Sequence, residues 1–192
     1  MTSAITAIVL AAGQGSRFRA LSGQDKLLAP CVGRDGVTRP ILEQVLVNLP
    51  ASVTRRWVVT SPERSEVVRL AGSYGCEVLL LDSAGMGDSI AAAVAASSSA
   101  AGWLVVLGDM PFIQAASIER VIERVEGVSV PVHAGRRGHP VAFGPALGPV
   151  LMGLIGDRGA KALFAQAEVR EVPVDDPGVL WDVDVPQSLK FR

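Results

Sequence analysis

Five short apolar runs, separated by stretches of helical spacing, constrain the fold of this chain more than any other feature. Residues 4–10, 55–60, 76–81, 103–107 and 128–132 are rich in Val, Ile and Leu and show little polar alternation. A strand with one wet face alternates polar and apolar side chains, whereas a strand covered on both faces does not. These runs are predicted to be buried strands, the last of them containing Pro131. Between them, residues 40–49, 62–74, 88–98 and 114–125 read as helices. Pro40 suits a first turn, Ser61 is placed to cap the second helix, and the third is rich in alanine. Ile118, Val121, Ile122 and Val125 recur at helical spacing in the fourth. Strand, loop, helix, strand predicts an α/β fold, a three-layer sandwich around a mostly parallel sheet.

The chain has 192 residues. That length suits one domain spanning 1–192, since domains commonly hold roughly 100–200 residues. Hydrophobic residues make up 49%, enough for a core and too many for a disordered chain. Lys and Arg number 18 against 19 Asp and Glu, a balance that excludes neither small anions nor metals but argues against nucleic acid and membrane as partners. The first apolar run is far shorter than the roughly 20 residues needed to span a bilayer. The N-terminus carries no charged export signal, so a cytoplasmic location is expected. Cys31 and Cys76 are far apart and fit neither CxxC nor zinc spacing; both are expected to be reduced thiols.

In sheets of this kind ligands bind beyond the carboxyl ends of the strands. The first such loop reads LAAGQGSRF, positions 10–18. Gly13 and Gly15 match the start of a dinucleotide fingerprint, but Phe18 stands where it needs a third glycine, which disfavours an NAD(P) oxidoreductase; no Walker A run exists either. The small residues Ala11, Ala12, Gly13 and Gly15 still let a ligand approach the backbone, whose N–H groups can cradle an anion. Arg17 and Lys26 add the positive charge a polyphosphate requires.

Five further clusters stand out. Asp109 follows the fourth strand in GDMP and suits Mg²⁺, which takes one or two carboxylates plus waters and phosphate oxygens. GMGDSI (85–90) opens the alanine-rich helix, where Asp88 or Ser89 can cap and N–H groups can face a ligand. RRGHPVAF (136–143) brings His139 ahead of a short strand, as a substrate contact, a base or a structural loop residue. GDRGAK (156–161) reads as a turn opening a helix with Asp157 as its cap. Near the end, WDVDVPQSL (181–189) sets Asp182 and Asp184 before a proline-initiated helix, either as carboxylates for a metal or with Asp184 as a helix cap. The only other histidine is His133, and no nucleophile–base constellation is recognisable.

The ordered set LAAGQGSRF, KLL, GMGDSI, LGDMPF, GHPVAF, GDRGAK and DVDVPQSL covers nearly the whole chain. It resembles the MobA-like nucleotidyltransferase superfamily, and within it the molybdenum cofactor cytidylyltransferases. The resemblance implies a Rossmann-like GT-A fold. It implies that Leu10, Ala11, Ala12, Gly13, Gly15, Ser16 and Arg17 wrap the base and triphosphate of an NTP, with Gly87 and Ser89 also touching nucleotide. Lys26, with Arg17 and Asp109, would be catalytic, neutralising the α-phosphate. Asp109 would hold Mg²⁺ together with Asp184, whose D-x-P setting matches the family pattern, or Asp182. Met110, Pro111, Gly138, His139, Pro140, Asp157 and Gly159 would face the acceptor. Ala12 within LAAG goes with CTP, and the implied acceptor is a molybdopterin-type cofactor whose product passes to a molybdoenzyme. Another phosphorylated acceptor (a sugar phosphate, alditol phosphate or phospholactate) or a non-catalytic cofactor chaperone are the alternatives. The chain departs from the family in Phe18, Arg19 and Ala20, in the LSGQ insertion before Asp25 and Lys26, and in a longer stretch at 31–40.

Overall fold

The computed structural model describes residues 4–82, 85–157 and 159–191. In chain order it contains β1 (Thr6–Leu10), α1 (Ser16–Ser22), β2 (Pro30–Val32), β3 (Thr38–Pro40), α2 (Ile41–Asn48), β4 (Arg55–Thr60), α3 (Ser65–Ser73) and β5 (Glu77–Leu80). There follow α4 (Met86–Ala96), β6 (Trp103–Leu107), α5 (Ala115–Ile122), β7 (Val128–His133), β8 (Arg136–Arg137), β9 (Val141–Phe143), α6 (Gly148–Met152) and β10 (Val169–Pro173). Short 3-10 turns fill several of the connections.

The main sheet runs β10-β7-β9-β6-β1-β4-β5, with β8 paired to β7. β1 lies parallel between β4 and β6, so that Val9 faces Val58 on one side and Val106 on the other. β5 extends this half in parallel. β9 runs antiparallel to both β6 and β7, and β10 is again parallel to β7. The sheet is thus mainly parallel, with one reversed strand joining its halves.

Ala7, Ile8 and Val9 are each fully buried, as an unbroken apolar run demands. Ala7 and Val9 pack with Leu42, Val45 and Leu46 of α2, Val67 of α3 and Ile118 of α5. Ile8 packs on the other side with Ile90, Ala93 and Val94 of α4 and Leu151 of α6. These are the three layers expected. A third cluster, with Phe18, Ile41, Phe112 and Val183, ties α1 to the C-terminal segment.

Helix starts differ from the sequence reading. α3 begins at Ser65 after Arg64, not after Ser61, because the Ser61 hydroxyl donates to the Glu63 carboxylate at 2.6 Å. Asp88 and Ser89 lie inside α4, which starts after Gly85. Asp157 is not the cap of the 3-10 turn Ala160–Ala165, which is entered through Gly159. Nor does Asp184 cap a helix, since the C-terminal helix is a 3-10 turn, Pro186–Leu189, entered through Val185 without a side-chain cap. The long stretch at 31–40 is a hairpin of β2 and β3, and Pro40 is its last strand residue rather than a helical one. The LSGQ insertion is the end of α1 and a turn through Gly23. Among the described residues no helix is long and apolar enough to cross a membrane.

Candidate active site

Because β1, β4 and β6 are parallel neighbours, the loops leaving them emerge at one edge. Gly108 seals that edge: its N–H donates to the Leu10 carbonyl at 3.0 Å, and a Cβ there would stand 2.7 Å from the same oxygen. Only glycine lets the turn bearing Asp109 lie this close to the start of the glycine loop. Gly15 closes the loop with φ +57°, the left-handed region, and a Cβ on it would press on Lys26 at 3.1 Å. Arg64, from the loop after β4, donates to the carbonyls of Ala11 (3.1 Å) and Gly13 (2.7 Å). The resulting cleft has a volume of about 1260 Å³; Leu10, Ala11, Ala12, Gly13, Gly15, Lys26, Ser89, Asp109 and Asp157 line it.

Four charges distant in sequence converge at its mouth. The Lys26 Nζ donates to Asp109 Oδ2 at 2.6 Å and reaches Asp184 Oδ1 at 3.5 Å. Arg17 Nη1 donates to Asp184 Oδ2 at 3.1 Å. Lys26 is held in place by the 3-10 turn Lys26–Leu28, which Asp25 caps by accepting from the Leu27 N–H at 3.0 Å, and by the buried Leu27. Asp184 arrives through the backbone: the Val183 N–H donates to the Asp109 carbonyl at 2.9 Å, laying the DVD segment beside the GDMP turn. Asp182 does not join this group. It is exposed, and its charge acts on His139 instead.

The remaining expected residues divide. Ser16 is exposed at the start of α1. Met110 is buried in the core, and Pro111 is buried with its carbonyl accepting from Asn48 Nδ2, so neither presents a face to an acceptor. Gly87 does not offer its N–H to a ligand, since that group donates to the Gly156 carbonyl at 2.7 Å. The same contact brings the GMGDSI and GDRGAK segments together, with Gly159 close to the Met86 sulfur. Gly138 and His139 donate their N–H groups to the carbonyls of Pro131 and Val179, and Pro140 is buried behind them. His139 is partly buried, and its Nδ1 has no hydrogen-bond partner among the described residues. Burial, aided by the charge of Lys161 and opposed by Asp182, pushes its pKa down to about 4. The imidazole is neutral near pH 7 and is a poor proton acceptor there.

The family model of the MobA-like NTP transferase domain matches residues 7–172. The chain belongs to that family. As a MobA-like NTP transferase it is a nucleotidyltransferase. It is 30% identical over 166 residues to the bifunctional protein GlmU of Sphingopyxis alaskensis, covering 84% of this chain and 34% of that protein. To GlmU of Acidiphilium cryptum it is 32% identical over 147 residues, 75% of this chain and 31% of that one. The chain therefore spans about a third of the length of these curated relatives. Among solved structures, Rv0371c of Mycobacterium tuberculosis matches with a TM-score of 0.80 at 28% identity, covering 98% of this chain and 96% of that one. A nucleotidyl transferase from Methanothermobacter thermautotroptrophicus matches with a TM-score of 0.80 at 25% identity, covering 98% and 94%.

In this MobA-like NTP transferase the fit of a divalent cation is testable on the donor set. Asp109 and Asp184 already aim carboxylate oxygens at one cation, the Lys26 ammonium. No group of three or more His, Cys, Asp or Glu gathers as a metal site among the described residues. Two carboxylates, with waters and phosphate oxygens completing the shell, is the set Mg²⁺ favours, so the residues fit it. Neither Arg64 nor Asp25 is given a site role by the sequence. The signal was available: both lie within five residues of a position already marked, Thr60 at the end of β4 and Lys26. Asp176 was missed as well. Only 1% exposed, it accepts from Arg34 (2.7 Å), Ser117 (2.8 Å), Gln114 N–H (2.9 Å) and Gly178 N–H (3.0 Å), joining the segments around it.

Proposed function

We propose that this nucleotidyltransferase transfers CMP from CTP to the terminal phosphate of a molybdopterin-type cofactor, with release of pyrophosphate. The observation that carries the reading is the convergence of Lys26 on Asp109 and Asp184 beside the glycine loop. In the transfer, an oxygen of the acceptor phosphate bonds to the α-phosphorus of CTP. The bond from that phosphorus to the bridging oxygen of the β-phosphate breaks, and pyrophosphate leaves with the electron pair. The protein forms no covalent bond; positioning and charge stabilisation supply the rate.

Leu10 to Arg17 wrap the nucleotide, and Lys26 and Arg17 neutralise the phosphates around the reacting phosphorus. Asp109 and Asp184 hold Mg²⁺, which when bound offsets charge on the phosphates and steadies the leaving group. In support of divalent metal use, Rv0371c, a structure at a TM-score of 0.75 and 26% identity, was solved in complex with manganese. The choice of CTP rests on Ala12 in the LAAG loop. The acceptor meets the cleft near Asp157, which lines it.

The test is a thermal shift with CTP, GTP, ATP and UTP, each with Mg²⁺, followed by pyrophosphate release with molybdopterin, sugar phosphates, alditol phosphates and phospholactate. A CTP-selective shift and molybdopterin-dependent pyrophosphate are expected. A shift with turnover on another acceptor would reassign the acceptor, and binding of cofactor without turnover would point to a chaperone. No shift with any NTP at millimolar concentration would overturn the reading.

A further inference from the structure

We propose that Arg64 is a positioning residue for the transfer: one guanidinium that holds the glycine loop and the Lys26 turn in a single geometry. The inference rests on the reading of that loop as the nucleotide site. The Arg64 side chain is only 8% exposed, unusual for an arginine beside an open cleft. Its NH1 and NH2 groups donate to the Ala11 and Gly13 carbonyls, at 3.1 and 2.7 Å. Its Nε lies 3.8 Å from Asp25 Oδ2. The other Asp25 oxygen accepts from the Leu27 N–H and so caps the turn that carries Lys26.

The contacts of this buried cation thus end on the two segments that must hold a triphosphate, not on the core. Thr60 adds a second donor to the Ala11 carbonyl at 3.1 Å. With the carbonyls of Ala11 and Gly13 turned toward Arg64, the N–H groups of Gly13, Gln14 and Gly15 have no acceptor among the described residues. That is the polarity a loop for anions needs. The arrangement depends on α3 starting late: the turn 61–64 leaves Arg64 at the helix entrance, where its side chain reaches under the loop. A planar fork of five N–H donors can serve two carbonyls and a carboxylate at once, and an ammonium cannot reach all three.

Arg64→Ala and Arg64→Lys test this in the full chain. Hydrogen exchange without nucleotide should quicken at the hydrogen-bonded amides that flank or belong to the two segments, Ala11, Arg19, Leu27 and Leu28, in both variants, with the amides inside the sheet unchanged. Turnover with CTP and Mg²⁺ should fall about 10²-fold in kcat, the cost of a misplaced reacting group, with a smaller change in KM. Lysine should restore little, whereas added guanidinium should recover at least tenfold of the Arg64→Ala activity. Unchanged exchange in both segments would overturn the proposal, and so would full activity of Arg64→Lys, which would make Arg64 a simple charge. If Arg64→Ala does not fold, Arg64→Lys carries the exchange and kinetic tests alone. If the wild-type chain binds no NTP, the transferase reading falls, while the exchange data still decide whether Arg64 ties the two segments.

Discussion

Lys26 carries two burdens that a surface lysine does not. Its side chain is 11% exposed, and its ammonium balances two carboxylates that would otherwise repel one another. In the proposed transfer it also meets phosphate. Lys26→Ala is expected to lower kcat by about 10²–10³-fold, the size of effect seen when a charge-stabilising donor is lost. Steady-state pyrophosphate release at saturating CTP measures it, and an unchanged rate would assign Lys26 to holding the carboxylates only. At this scale the sequence was a good guide to residue type and a poor one to partnership. Asp182 and Asp184 are indistinguishable by composition. What separates them is the Val183 N–H bond to the Asp109 carbonyl, which turns Asp184 toward Lys26 and leaves Asp182 beside His139. Cys31 and Cys76 behave as small buried hydrophobes, the Cys31 thiol pushed up to about 11 by burial.

Elements were legible where periodicity is strong and not where caps compete. The buried strands β1 and β6 and the amphipathic helices announced themselves, but the run at 76–81 is not a buried strand: it forms β5 at the sheet's edge, with Glu77 and Leu80 exposed. Helix starts did not announce themselves, because Ser61, Asp88, Asp157 and Asp184 are all chemically able to cap, and each found another role or none. The small 3-10 turns depend on contacts that a local pattern cannot contain. The turn Pro177–Leu180 is the clearest case. Asp176 caps it through the Gly178 N–H and at the same time joins α5 (Ser117 and the Gln114 N–H) and the β2–β3 hairpin (Arg34). Asp176→Ala is expected to destabilise the fold by about 3 kcal/mol, since it strands buried donors and unpairs Arg34. Urea unfolding at pH 7 measures the effect; a loss below 1 kcal/mol would mean that these elements hold together by packing alone.

For the whole molecule, His139 sets a pH dependence. Its folded pKa of about 4 lies below its ordinary value of 6.5, so between these values the unfolded chain binds more protons than the folded one. The contribution of this residue is fully present above pH 6.5 and is lost as the pH falls toward 4. Melting temperatures from pH 7 to 4 should drop less steeply for His139→Gln than for the wild-type chain; parallel curves would refute the assignment. By itself the sequence determined the layered α/β architecture, because unbroken apolar runs must be buried on both faces and helical stripes must cover them. It also supplied the chemical inventory of the site. Only the tertiary structure decided which charges share it. Lys26 meets Asp109 across 83 positions and Asp184 across 158. Such meetings follow from parallel strand register and from one backbone hydrogen bond at the sheet's edge, long-range choices that no local stretch of residues encodes.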